Sequence, residues 1–152
     1  MDIREQLALA RGSDAVAGYR ALQQLLAASE NGPAVYECFD ELVCMLDAKS
    51  SYERTRGFLL IAANARWDDA GRIEAATDQL IGLLHDERPT VVRQCVQAAP
   101  LLADGCPHLA ERLVVALEAV DPGAYRDSMQ SLVARDVAEA LAVLRAQVAS
   151  ER

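Results

Sequence analysis

The sequence predicts an all-α protein built from stacked helix pairs, and three observations predict it. The chain repeats itself weakly. Tyr19-Arg20-Ala21-Leu22, Glu53-Arg54-Thr55-Arg56, Val92-Arg93-Gln94-Cys95 and Tyr125-Arg126-Asp127-Ser128 each open an apolar helical stretch. The arginines Arg20, Arg54, Arg93 and Arg126 stand 34, 39 and 33 residues apart, a period typical of stacked repeats. The boundaries between apolar runs carry helix start and stop residues. Finally, alanine leads the apolar set while aromatics make up 5%, and no segment alternates apolar and polar residues as a strand would.

Each element follows from its punctuation. Residues 2–11 are expected to form a short N-terminal helix that caps the array. A first pair, 13–29 and 33–48, is divided at Asn31-Gly32-Pro33, where glycine stops one helix and proline starts the next. Ser50 and Glu53 have capping-box spacing and open a second pair, 51–66 and 70–86. The third pair, 89–103 and 107–120, is divided by Asp104-Gly105-Cys106-Pro107. Asp121-Pro122 precedes the last stretch, 123–149, where Val133, Val137, Ala140, Leu141, Leu144 and Val148 share one face. The repeats are therefore 13–48, 50–86, 88–120 and 121–149, within one domain of 152 residues.

Composition excludes several function classes. A net charge of −8 works against neutralising phosphates, so neither nucleic acid nor an anionic membrane is an expected partner. Met1-Asp2-Ile3-Arg4-Glu5 is polar rather than a basic-then-apolar leader, and Phe58 to Ala63 is too short to span a bilayer. Cys38, Cys44, Cys95 and Cys106 are scattered, so reduced thiols and a cytoplasmic location are expected. No CxxC or HxxxH spacing suggests a metal, no phosphate loop suggests a nucleotide, and two histidines with no nucleophile elbow suggest no hydrolase. We therefore expect no cofactor and no catalysis.

Leu83-Leu84-His85-Asp86-Glu87-Arg88-Pro89-Thr90-Val91-Val92-Arg93 resembles the HEAT-repeat consensus of a leucine pair, an aspartate, a proline and a valine-arginine. Leu46-Asp47 with Glu53-Arg54, and Asp121-Pro122 with Tyr125-Arg126, are looser copies, and Pro100 falls where HEAT helices are often kinked. The stretch Thr55 to Asn64 is similar to one in small uncharacterised bacterial HEAT-like proteins. The resemblance implies a right-handed, armadillo-type α-solenoid of about four helix pairs. It further implies an inter-repeat ladder of Asp47, Asp86 and Asp121 with Arg54, Arg93 and Arg126.

In such a stack the first helix of each pair lines the convex face and the second the concave face. The first helices carry five arginines against Asp14 and Glu53, whereas the second carry nine acids against Arg72 and Arg112. An acidic groove is expected at Glu37, Asp40, Glu41, Glu74, Asp78, Glu111 and Glu118, with Val115 as an apolar contact. It would take a basic or helical segment of another protein by charge attraction. Arg56, Asn64, Arg66 and Trp67, around the only tryptophan, form a possible hot spot. The alternatives are an enzyme or nucleic-acid-processing module on the same scaffold, or self-association through the basic back and the acidic groove.

Overall fold

The computed structural model describes residues 1–151, and 81% of the chain is helical with no strand among the described residues. Eight helices follow one another: α1 (Ile3–Arg11), α2 (Ala15–Asn31), α3 (Phe39–Leu46), α4 (Ser51–Asn64), α5 (Arg72–Leu84), α6 (Pro89–Gly105), α7 (Ala110–Glu118) and α8 (Asp127–Ser150). Side-chain caps set the starts of α1, α2 and α4. The Asp2 carboxylate accepts from Glu5 N at 2.8 Å, Asp14 accepts from Ala17 N at 3.0 Å, and Ser50 accepts from Glu53 N at 3.4 Å. Each satisfies one N–H that the first turn leaves unpaired. Pro89 starts α6, where its missing N–H costs nothing.

The other two proline starts behave differently from expectation. After Pro33 the chain makes a 3₁₀ turn, Tyr36–Cys38, before α3 begins at Phe39. Pro107 opens a second such turn, Pro107–Leu109, ahead of α7. In both places the tighter i→i+3 turn absorbs the change of direction between helices. The last unit also differs: residues 121–149 contain a short turn, Pro122–Ala124, and the single helix α8 rather than a pair.

Packing sorts the helices into two rows. α4 contacts α2 on one side and α6 on the other, and α6 continues to α8. α5 lies between α3 and α7 in a second row beneath them, while α1 packs on α2 and α4. One connected apolar core runs between the rows. Leu7, Leu25, Leu42, Phe58, Ile61, Ile73, Leu84, Leu102 and Leu144 are buried in it. Each such side chain contributes about 1.5–3 kcal/mol relative to exposure. In the apolar stripe of α8, Val133, Ala140, Leu141 and Leu144 are buried, with Val137 and Val148 packed at its edge. Gln147 Nε2 donates to the carbonyl of Pro100 at 2.9 Å, fastening α8 to the middle of α6. No helix among the described residues is long and apolar enough to cross a membrane.

Candidate functional site

The residues expected to line a groove lie on the second row. Glu37 is in the turn before α3, and Asp40 and Glu41 are in its first turn. Glu74 and Asp78 are one turn apart on α5. Glu111, Val115 and Glu118 are four and then three residues apart along α7. The i, i+3 and i, i+4 spacings put each set on one helix face, and α3–α5 and α5–α7 contacts set those helices side by side. On the same helices Phe39, Leu42, Ile73, Leu80, Leu113 and Leu117 are buried in the core.

The charge on this face is smaller than the second helices alone suggest. Arg4 of α1 pairs with Glu41 at 2.5 Å, Arg112 with Asp78 at 2.8 Å, and Arg145 of α8 with Glu118 at 3.2 Å. His108 Nε2 lies 2.9 Å from Glu74 Oε2. These pairs tie neighbouring helices together but are solvent-exposed, so each contributes about 0–1 kcal/mol. The acids also have a local reason to be there. Asp40, Glu41, Glu74 and Glu111 all occupy first turns, where the helix dipole favours negative charge. An apolar stretch of the face centres on Val115, which is 66% exposed. A shallow hollow of about 490 Å³ beside it is lined by Val114, Val148, Ala149, Glu111 and Arg145. Another, of about 450 Å³, adjoins it at Ile81, Arg112 and Ala116.

The possible hot spot divides in two. Asn64 is buried and donates to Ser29 Oγ at 2.9 Å and to the Leu60 carbonyl at 2.8 Å. Trp67 Nε1 donates to the Ser29 carbonyl at 2.7 Å, and Arg66, stacked over Trp67, donates to the Glu30 carbonyl at 3.2 Å. These three residues join the C-terminal ends of α2 and α4. Arg56 lies two turns earlier on α4, where it is buried and donates to the Ala10 carbonyl at 3.0 Å.

Of the six ladder residues only Arg54 and Asp86 meet. Their bond is bidentate, with Nε to Oδ2 at 3.0 Å and Nη2 to Oδ1 at 3.1 Å. Asp47 instead accepts from Gln79 Nε2 at 2.9 Å, and Asp121 caps Gly123 N at 2.9 Å. Arg126 is exposed, and Arg93 reaches past the expected aspartate to Asp136 in α8, at 2.6 Å. Asp136 is available because it is buried on α8, which packs directly against α6. Asp86→Ala is expected to cost about 1–3 kcal/mol, because Arg54 loses its charged partner in a partly buried position. Equilibrium urea unfolding measures it.

Sequence reasoning missed a hub at Asp68. Its carboxylate accepts from the backbone of Arg72 at 2.8 Å and of Ile73 at 3.3 Å, at the start of α5. It also accepts from Tyr36 Oη at 2.5 Å and lies 3.7 Å from Cys106 Sγ. Three inter-helix turns thus converge on one carboxylate. Burial and the Asp68 hydrogen bond raise the Tyr36 pKa from 10.0 to about 12. Burial, with the Asp68 charge, raises the Cys106 pKa from 9.0 to about 12. A group that is harder to deprotonate folded than unfolded stabilises the fold below its unfolded pKa. The hub's contribution is therefore full below pH 9.0, the unfolded value of the Cys106 thiol, and is lost as pH climbs through 10.0, where Tyr36 joins, toward about 12. A melting series across that range is expected to show a continuous fall, smaller in Tyr36→Phe.

All four thiols are free; Cys44 is exposed, while Cys38, Cys95 and Cys106 are buried. Burial raises the thiol pKa of all three buried cysteines, which suppresses the nucleophilic thiolate. Native protein at neutral pH is expected to react with an aromatic disulfide reagent at Cys44 alone, and at all four once unfolded. Mass spectrometry of the labelled peptides reads the result. No group of three or more histidine, cysteine or carboxylate side chains among the described residues is arranged to hold a metal ion. No family model matches this chain, and no curated protein or solved structure matches it either.

Proposed function

We propose that this chain is a cytoplasmic, non-catalytic protein-binding module of HEAT-like type, a right-handed α-solenoid whose second row receives a helical or basic segment of another protein. The observation that carries the reading is Val115, an exposed valine shared by two adjoining hollows whose walls set Ile81, Val114 and Val148 among Glu111, Arg112 and Arg145. An apolar anchor ringed by polar groups is the anatomy of a binding patch. Glu37 and Asp40, at the other end of the row, supply the attraction for basic residues. The two-row packing and the repeat spacing support the solenoid reading, and four free thiols support a reducing compartment. With several acids already paired to arginine, contact at Val115 matters more than charge along the groove.

Helical peptides selected from a displayed library on the intact protein test this. Val115→Asp is expected to weaken the selected binders by at least about tenfold, and Glu37→Lys with Asp40→Lys by less, the latter loss shrinking in high salt. Both variants should melt like the parent. Binders indifferent to Val115→Asp, or none selected at all, would overturn the proposal.

A further inference from the structure

A different surface carries a second site. On the outer side of the first row, α2, α4 and α6 enclose a slot of about 250 Å³ lined by Ala15, Tyr19, Leu22, Tyr52, Thr55, Arg56, Leu59 and Gln94. We propose that Arg56 anchors a small molecule bearing a carboxylate in this slot.

Arg56 is 7% exposed, yet no carboxylate among the described residues lies within 4.0 Å of it. Glu53, one turn earlier, is committed to Arg11 at 3.0 Å. A buried guanidinium without a counter-ion is costly, and structures ordinarily pair it. One of its nitrogens, Nη1, is occupied by the Ala10 carbonyl at the C-terminal end of α1, where the helix dipole offsets part of the charge. Gly18 makes room for that nitrogen, since a Cβ there would stand 2.5 Å from Nη1.

The rest of the guanidinium has no hydrogen-bond partner among the described residues. The only fully enclosed side-chain N or O atoms without partners among them are Asn64 Oδ1 and Gln147 Oε1, so Arg56 Nε and Nη2 keep solvent access, and Arg56 lines the slot. Those two nitrogens form the parallel pair of donors that a carboxylate accepts bidentately. Thr55, Tyr19, Tyr52 and Gln94 are the other polar residues that line the slot, and no acid does. No second basic side chain lines it either, which suits one negative charge better than a phosphate dianion. Leu22, Leu59 and the two tyrosine rings provide an apolar wall for the rest of the ligand. Tyr52 already lies 5.6 Å from the guanidinium carbon, ring to cation.

The probes are sodium benzoate, its neutral isostere benzamide, and inorganic phosphate, titrated into isotopically labelled full-length protein. The arginine side-chain N–H and tyrosine ring resonances are followed by NMR. Benzoate is expected to shift Arg56 Nε–H and both tyrosine rings along a saturating curve, with benzamide and phosphate each weaker by at least about tenfold. Arg56→Ala risks unfolding the α1–α4 contact, so the informative variant is the exposed Gln94→Glu. It places a rival carboxylate beside Arg56 and is expected to weaken benzoate by at least about tenfold while the melting temperature holds or rises. An unsaturable Arg56 response, an equal response to benzamide or to phosphate, or undiminished benzoate binding in Gln94→Glu would each overturn the proposal.

Discussion

Arg93→Ala is expected to destabilise the protein by about 3–5 kcal/mol. Its partner, Asp136, is 3% exposed on the inward face of α8. That carboxylate accepts from Arg93 Nε at 2.6 Å and from Gln97 Nε2 at 3.3 Å, both on α6. Removing the arginine leaves a buried anion with one neutral donor, and the α6–α8 contact must then open to admit water or take up a proton. The double variant Arg93→Ala with Asp136→Leu is expected to recover much of the loss, because neither charge remains to be desolvated. Urea unfolding of the two variants with unchanged slope reads both numbers. A loss below about 1 kcal/mol for Arg93→Ala would place the pair in the surface class.

Gly105→Ala is expected to be comparably severe, about 3 kcal/mol, at the upper part of the range for overpacking. A Cβ at Gly105 would stand 2.5 Å from the Ala65 carbonyl carbon and Cβ, and 2.6 Å from Arg66 N. Two of those atoms are backbone, in the turn that follows α4, and cannot rotate aside. Helix propensity argues the other way, since alanine exceeds glycine by up to about 1 kcal/mol within a helix; the clash is larger and decides the sign. Gly82→Ala is the control. It lies in α5 with nothing within 4 Å of its would-be Cβ, so there the propensity gain should stand alone, at about 0.4–1 kcal/mol of stabilisation. Thermal melts of the two variants should therefore move in opposite directions.

Much of the helical framework was legible because it is written locally. The Ser50 cap, the Pro89 start of α6 and the apolar spacing of α8 are decisions made within a few residues. Where two local rules competed, the structure departs from expectation: Pro107 suits either an α-helical first turn or a 3₁₀ turn and opens the latter, while Pro33 opens no helix and the chain reaches α3 through the turn at Tyr36–Cys38. The acidic face was half legible. Glu41 and Glu118 are visible as acids, but Arg4 and Arg145, which pair with them, lie far off in the chain on α1 and α8. Counting charges helix by helix cannot find them. Asp136 did leave a signal, an acid inside the stripe that runs from Val133 to Val148. An acid on a buried face needs a cation, and Arg93 was already marked as distinctive by the repeat. The Asp68 hub left no such trace, since Tyr36 and Cys106 are 32 and 38 residues away from it in sequence.

The dipeptide Glu53-Arg54 works as a two-way joint. Successive residues on a helix point about 100° apart, so Glu53 is turned back to Arg11 at the end of α1 while Arg54 is turned forward to Asp86 before α6. One acid facing upstream and one base facing downstream give α4 a sense of direction along the row. A single inserted or deleted residue between them would swing one side chain away from its mate, so the spacing of this step is itself a message about neighbour order. Helices in the row are thereby distinguished by their couplings as well as by their shapes: each knows which neighbour comes before it and which comes after.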